Sequence, residues 1–235
     1  MSLRRRVVGA IFGTALLVVV ANVAKTAIAA ATMSGYWQAR MREPVAADGF
    51  RLVALGDSSA MGVGADRPME GFVGRIARYV EERTGRTVHI TNVSVGGATG
   101  ADIVRDQLPR VDLAAADLVI VAHSADLTGR VGADAYRAAL ETLVAGLPPD
   151  RTVYSDMPLL PGREPYQAAL TRVIDAAGIL RADFAAIFGG EGRRLDIFSW
   201  LPPHLSSRGY WYWFRAFQPK VDVILERAAG QSSGT

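Results

Sequence analysis

The chain has 235 residues, half of them hydrophobic, and a formal net charge of +3, which allows one α/β domain with a sizeable core plus an appendage. The small basic excess is nearly all arginine, without a basic stripe interleaved with aromatics, so no nucleic-acid partner is expected. There is no cysteine, which excludes disulfides, thiolate metal sites and a cysteine nucleophile.

Residues 1–6 end in Arg4-Arg5-Arg6, and residues 7–24 carry no charge before Lys25. Such a run matches the ~20 apolar residues that a membrane-crossing helix needs. A transmembrane or signal-anchor helix is therefore expected over 7–31, preceded by a cytoplasmic basic segment over 1–6. The rest of the chain would then be extracytoplasmic on a single-pass membrane protein, with Tyr36 and Trp37 near the outer interface. Two other readings stand beside this one. A secretory signal could be cleaved near Ala29-Ala30-Ala31, releasing the domain, or the run could be a buried core helix. Residues 32–49, polar towards Pro44 and Gly49, read as a linker, and 229–235 as a flexible tail.

From residue 50 to 228 short apolar runs alternate with helical patterns. Strands are expected at 51–55, Val88–Asn92, Leu118–Ala122, Thr152–Ser155 and 180–184. Between them, Phe72, Val73, Ile76 and Val80 fall on one helical face, as do Tyr136, Leu140 and Leu143, and Tyr166, Leu170, Val173 and Ile174. A last helix begins near Ser206, carries Trp213 and Phe217, and should kink or restart at Pro219. This alternation predicts an α/β fold, a three-layer α/β/α sandwich around a mainly parallel five-stranded sheet. Ligands of such sheets bind beyond the carboxyl ends of the strands, which directs attention to the loops there.

Three of those loops could carry chemistry. Gly56-Asp57-Ser58 follows the first strand and sets a serine at its end. Asn92-Val93-Ser94-Val95-Gly96-Gly97-Ala98-Thr99 follows the second, and its glycines can present backbone N–H groups to a developing oxyanion. His204, after Pro202-Pro203, opens the stretch His204-Leu205-Ser206-Ser207-Arg208-Gly209-Tyr210, and a neutral imidazole can deprotonate a serine. Each loop alone is equally compatible with an ordinary turn or a structural histidine. His89, within an expected strand, reads as structural, whereas His123 ends the third strand.

Together these blocks resemble the SGNH/GDSL hydrolases. Gly56-Asp57-Ser58 is similar to the first block, Gly97-Ala98-Thr99 to the second, and His204 with Ser206 and Gly209-Tyr210 to the last. The resemblance implies a flavodoxin-like strand order 2-1-3-4-5, Ser58 as nucleophile, His204 as base, and the N–H groups of Ser58 and Gly97 as the oxyanion hole. It implies no metal and no cofactor. The substrate would be a carboxylic ester, an acyl lipid or an acylated glycan, passing through an acyl-serine. Two departures are plain. In the third block, His123-Ser124-Ala125-Asp126, Ala125 stands where the family has its oxyanion asparagine, leaving Ser124 or His123 as substitute donors. Leu201 stands three residues before His204, where the family has the triad aspartate, and Asp196-Ile197-Phe198 reads as that aspartate's segment displaced by an insertion, so Asp196 is the candidate third catalytic residue, beside the readings of a solvated surface aspartate and of a Ser-His dyad. These departures keep open a non-catalytic domain that binds an acylated glycan or lipid, and an O-acyltransferase using the same acyl-enzyme. The oligomeric state is not set by the sequence.

Overall fold

The computed structural model describes residues 3–128, 131–157, 161–191, 195–199 and 204–232. Leu201, Pro202, Pro203 and the last three residues lie outside the described residues. The order of elements is α1 (Leu3–Arg40), β1 (Phe50–Gly56), α2 (Ser58–Met61), α3 (Phe72–Thr84), β2 (Val88–Asn92), α4 (Gly100–Asp102), β3 (Leu118–Ala122), α5 (Ala133–Ala145), β4 (Thr152–Ser155), α6 (Glu164–Ala176), β5 (Leu180–Ala182), α7 (Phe184–Glu191) and α8 (Ser207–Ser232).

All five strands are parallel, in the order β2-β1-β3-β4-β5, as the resemblance implies. Alternation along each strand divides the core between the two sheet faces. Leu52, Ala54, Leu118 and Ile120 pack with α3 and α8, whose Phe72, Trp213 and Phe217 are buried there. Val53, Leu55, Val119 and Val121 face α5 and α6 through Leu140, Leu143, Leu170 and Ile174. Burial on both faces is why these strands read as unbroken apolar runs.

Three element ends, and the place of Trp37, differ from the sequence-based expectation. The helix α1 continues to Arg40, through the start of the segment read as a linker. Its last turns are held by packing, because Met33 and Trp37 are buried against the domain. Trp37, expected at a membrane interface, is 2% exposed and donates its indole N–H to the Met61 carbonyl at 2.9 Å. The fifth strand stops at Ala182, because Phe184 begins α7 and the Asp156 carboxylate takes the Ala185 N–H at 2.8 Å. The last helix runs unbroken through Pro219, which is exposed, and continues to Ser232, past the start of the expected tail.

Candidate active site

The first strand delivers Ser58 through a backbone that only glycine can follow. Gly56 has φ 150°, and a Cβ there would lie 1.9 Å from the Ala122 carbonyl oxygen. Asp57 then caps α2 from a position 1% exposed. Its carboxylate accepts five hydrogen bonds: from Ser59 N–H and O–H on one oxygen, and from Ser124 N–H, Ser124 O–H and Ala125 N–H on the other. Asp57 thus joins the first block to the third, and a buried charge so fully hydrogen-bonded fixes the turn that carries Ser58. The hydroxyl of Ser59 is committed to Asp57 at 2.6 Å, which distinguishes it from its neighbour.

Ser58 is half-buried and its Oγ lies 3.0 Å from Nε2 of His204, within hydrogen-bond reach for a base and its nucleophile. The residues after His204 hold it there. Ser207 Oγ donates to the Asp66 carboxylate at 2.6 Å, and Tyr210 donates to the Val63 carbonyl at 2.7 Å, tying the start of α8 to the loop behind the nucleophile. Burial holds the Tyr210 phenol well above its ordinary pKa, so this donor stays protonated. At Gly64 a side chain has no room, since a Cβ would meet Leu205 O at 2.4 Å and His204 Cβ at 2.9 Å.

Gly97 and Ala125 line the same cavity as Ser58 and His204, a space of about 590 Å³ at the carboxyl end of β1. The two substitute donors sit differently. Both donors of Ser124 point at Asp57. His123 is 3% exposed, its Nδ1 donating to Asp126 at 2.8 Å and its Nε2 accepting from Tyr154. Burial, reinforced by Tyr136 and Asp126, keeps the Tyr154 phenol protonated for that bond. Asp126 also accepts the Gly100 N–H at 3.0 Å, so the His123 group braces the second block against the third.

The segment that carries Asp196 is joined to His204 through backbone pairing. Residues on either side of the inserted loop pair antiparallel, Phe198 with Leu205, and the Ser199 N–H donates to the His204 carbonyl at 2.9 Å. In that register Ser199 faces His204, and Asp196 lies three residues further on, roughly 6–10 Å along the chain. Among the described contacts its carboxylate meets Arg208 Nε at 3.2 Å and its backbone carbonyl accepts from Ser206.

One contributor is invisible in the motifs. The side chain of Gln107, fully buried, accepts the Gly56 N–H at 2.9 Å and donates to the Gly56 carbonyl at 2.8 Å. It clips both backbone groups of the residue before Asp57. The π-helical turn Ile103–Gln107 delivers it, and the only signal in the sequence is a glutamine just before Leu108-Pro109, where the helix must break.

A model of the GDSL-like lipase/acylhydrolase family matches residues 54–212. The chain belongs to that family. Membership makes it a hydrolase of the ester-cleaving kind and matches the expectation drawn from the blocks. Solved structures agree in fold. That of TesA superposes with a TM-score of 0.60 at 18% identity, covering 74% of this chain and 99% of TesA. A lipase/acylhydrolase from Enterococcus faecalis gives 0.60 at 16% identity, covering 73% and 95%. An acetyl xylan esterase from Geobacillus stearothermophilus gives 0.58 at 18% identity, covering 74% and 95%. No curated protein matches the sequence.

Proposed function

We propose that this family member is a serine esterase that works through an acyl-Ser58 intermediate, with its domain outside the cytosol on a helix that stays in the membrane. The observation that carries the chemistry is the 3.0 Å approach of His204 Nε2 to Ser58 Oγ. Ser58 Oγ attacks the ester carbonyl carbon while His204 takes its proton; the tetrahedral intermediate collapses, and His204 returns that proton to the departing alcohol. Water then attacks the acyl-enzyme, giving its proton to His204, and the acid leaves as Ser58 regains its hydrogen. The N–H groups of Ser58 and Gly97 stabilise the oxyanion. With Ala125 in the asparagine slot, and Ser124 and His123 bonded elsewhere, one side-chain donor is missing. Loss of such a donor lowers turnover ~10²–10³-fold, so slow hydrolysis biased to activated esters is expected.

The test is ester hydrolysis by purified full-length protein. Ser58→Ala and His204→Ala should each abolish turnover of p-nitrophenyl acetate while circular dichroism stays unchanged. The double variant should be scarcely worse than either single one, because the pair acts as a unit. Retained turnover in Ser58→Ala, or its loss only in Ser59→Ala, would overturn the assignment.

A further inference from the structure

The cavity at Ser58 has a wall that the family match does not include. The match begins at residue 54, yet Asn22, Val23, Thr26, Ala27 and Ala30 of α1 line the space that holds Ser58 and His204. These positions recur at helical spacing and form one face. Their placement is held from further along the helix. Trp37 is bonded to the Met61 carbonyl, and Met33, with Ala29 and Ala30, packs on Met61 and Val63, next to the nucleophile's turn.

The same helix is the one apolar enough to cross a bilayer among the described residues, and Leu16–Val20 on it are exposed. The uncharged run ends at Ala24, so Asn22 and Val23 lie inside it and Ala30 six residues beyond. At the helical rise that is ~9 Å, comparable to the headgroup zone on one side of a bilayer. With the helix in a bilayer whose edge lies at the end of the uncharged run, the cavity would open where the acyl chains of that leaflet begin. Its α1 side is small and mostly apolar. Val23, Ala27 and Ala30 present only hydrocarbon, and Thr26 donates its hydroxyl to the Asn22 carbonyl at 2.9 Å, within the helix. The opposite side carries Ser58, Gly97 and His204.

We infer that α1 is the acyl-binding wall of the active site and that the substrate is a long-chain acyl ester resident in the adjacent leaflet. This rests on the esterase reading above. The carbonyl sits at Ser58 and the chain lies along Val23, Ala27 and Ala30 into the bilayer, so the ester is reached without leaving the membrane. Cleavage at Ala29–Ala31 would remove most of that wall, so the proposal requires the helix to be retained.

The experiment uses full-length protein in phosphatidylcholine vesicles, comparing p-nitrophenyl palmitate carried in the bilayer with p-nitrophenyl acetate in the water. Wild type should favour palmitate in kcat/KM by about tenfold or more, and Ala27→Trp, which fills the wall, should cut that ratio by about tenfold. Ile28→Trp is the control, since Ile28 lies on the other side of the helix and does not line the cavity; it should leave the ratio as in wild type. Val23→Trp repeats the test nearer the bilayer and should act as Ala27→Trp does. Equal ratios in all four proteins, with both esters still hydrolysed through Ser58, would overturn the acyl wall and leave the esterase standing. Absence of hydrolysis of either ester by wild type would overturn the esterase and the wall with it.

Discussion

The turn that carries Ser58 and the segment paired with His204 each hold a carboxylate, and the two are built in opposite ways. Asp57, behind the nucleophile, is 1% exposed and receives five hydrogen bonds that join two loops. Asp196, on the histidine's side, has a side chain 46% exposed and an ion pair with Arg208 at the surface. Ser58 is thus positioned by a saturated interior network, and His204 by the pairing of its backbone with Ser199 and by the start of α8. Most of the described hydrogen bonds that fix the site converge on the turn at Ser58.

The comparison is broken most severely at Asp57. Asp57→Ala leaves five donors without their acceptor and should destabilise the protein by about 3–5 kcal/mol, read as a lower urea midpoint, with turnover lost. A midpoint within experimental error of wild type would show that the network is not what holds the turn. Next is Gln107→Leu, which removes the side-chain acceptor of the Gly56 N–H and one of two donors to its carbonyl, the Val95 N–H remaining. About 2–3 kcal/mol is expected, with a lower kcat and little change in KM, since the effect reaches substrate only through the position of Ser58. Unchanged stability and kcat would remove Gln107 from the account.

The other two changes sharpen the contrast. Ala125 is 4% exposed and lines the cavity, so Ala125→Asn restores an amide where the family carries its donor. A rise in kcat of about tenfold, worth ~1.4 kcal/mol, is expected with a smaller change in KM. A fall would mean that the pocket is built around a small residue. The smallest effect belongs to Asp196→Ala. Loss of an exposed ion pair should cost within about 1 kcal/mol, and kcat should change less than about threefold. A fall of ~10⁴, as when a triad carboxylate is removed, would place Asp196 on His204 during catalysis.

Much of this site is readable in the sequence, for physical reasons that differ by element. Runs such as Leu118–Ala122, buried on both faces, can be little other than central parallel strands, and they fix where the loops with Ser58, Gly97 and His123 emerge. Gly56-Asp57-Ser58 is readable because its geometry excludes every residue but glycine at Gly56. The place of Asp196 is not readable, because an insertion has no predictable register until Phe198 pairs with Leu205. Nor are Trp37 and Gln107. An apolar helix that ends in an aromatic reads as a membrane anchor, and a lone glutamine reads as surface; only the tertiary fold brings them to Met61 and Gly56.

In the proposed mechanism Ser58, activated by His204, is the group that takes the acyl chain. Covalent labelling of the intact protein by a fluorophosphonate, followed by mass spectrometry of the modified peptide, tests it most directly. The account predicts one adduct on Ser58, none in Ser58→Ala, and labelling slowed by about a hundredfold or more in His204→Ala. An adduct on Ser59 or Ser124, or equal labelling in wild type and His204→Ala, would contradict it.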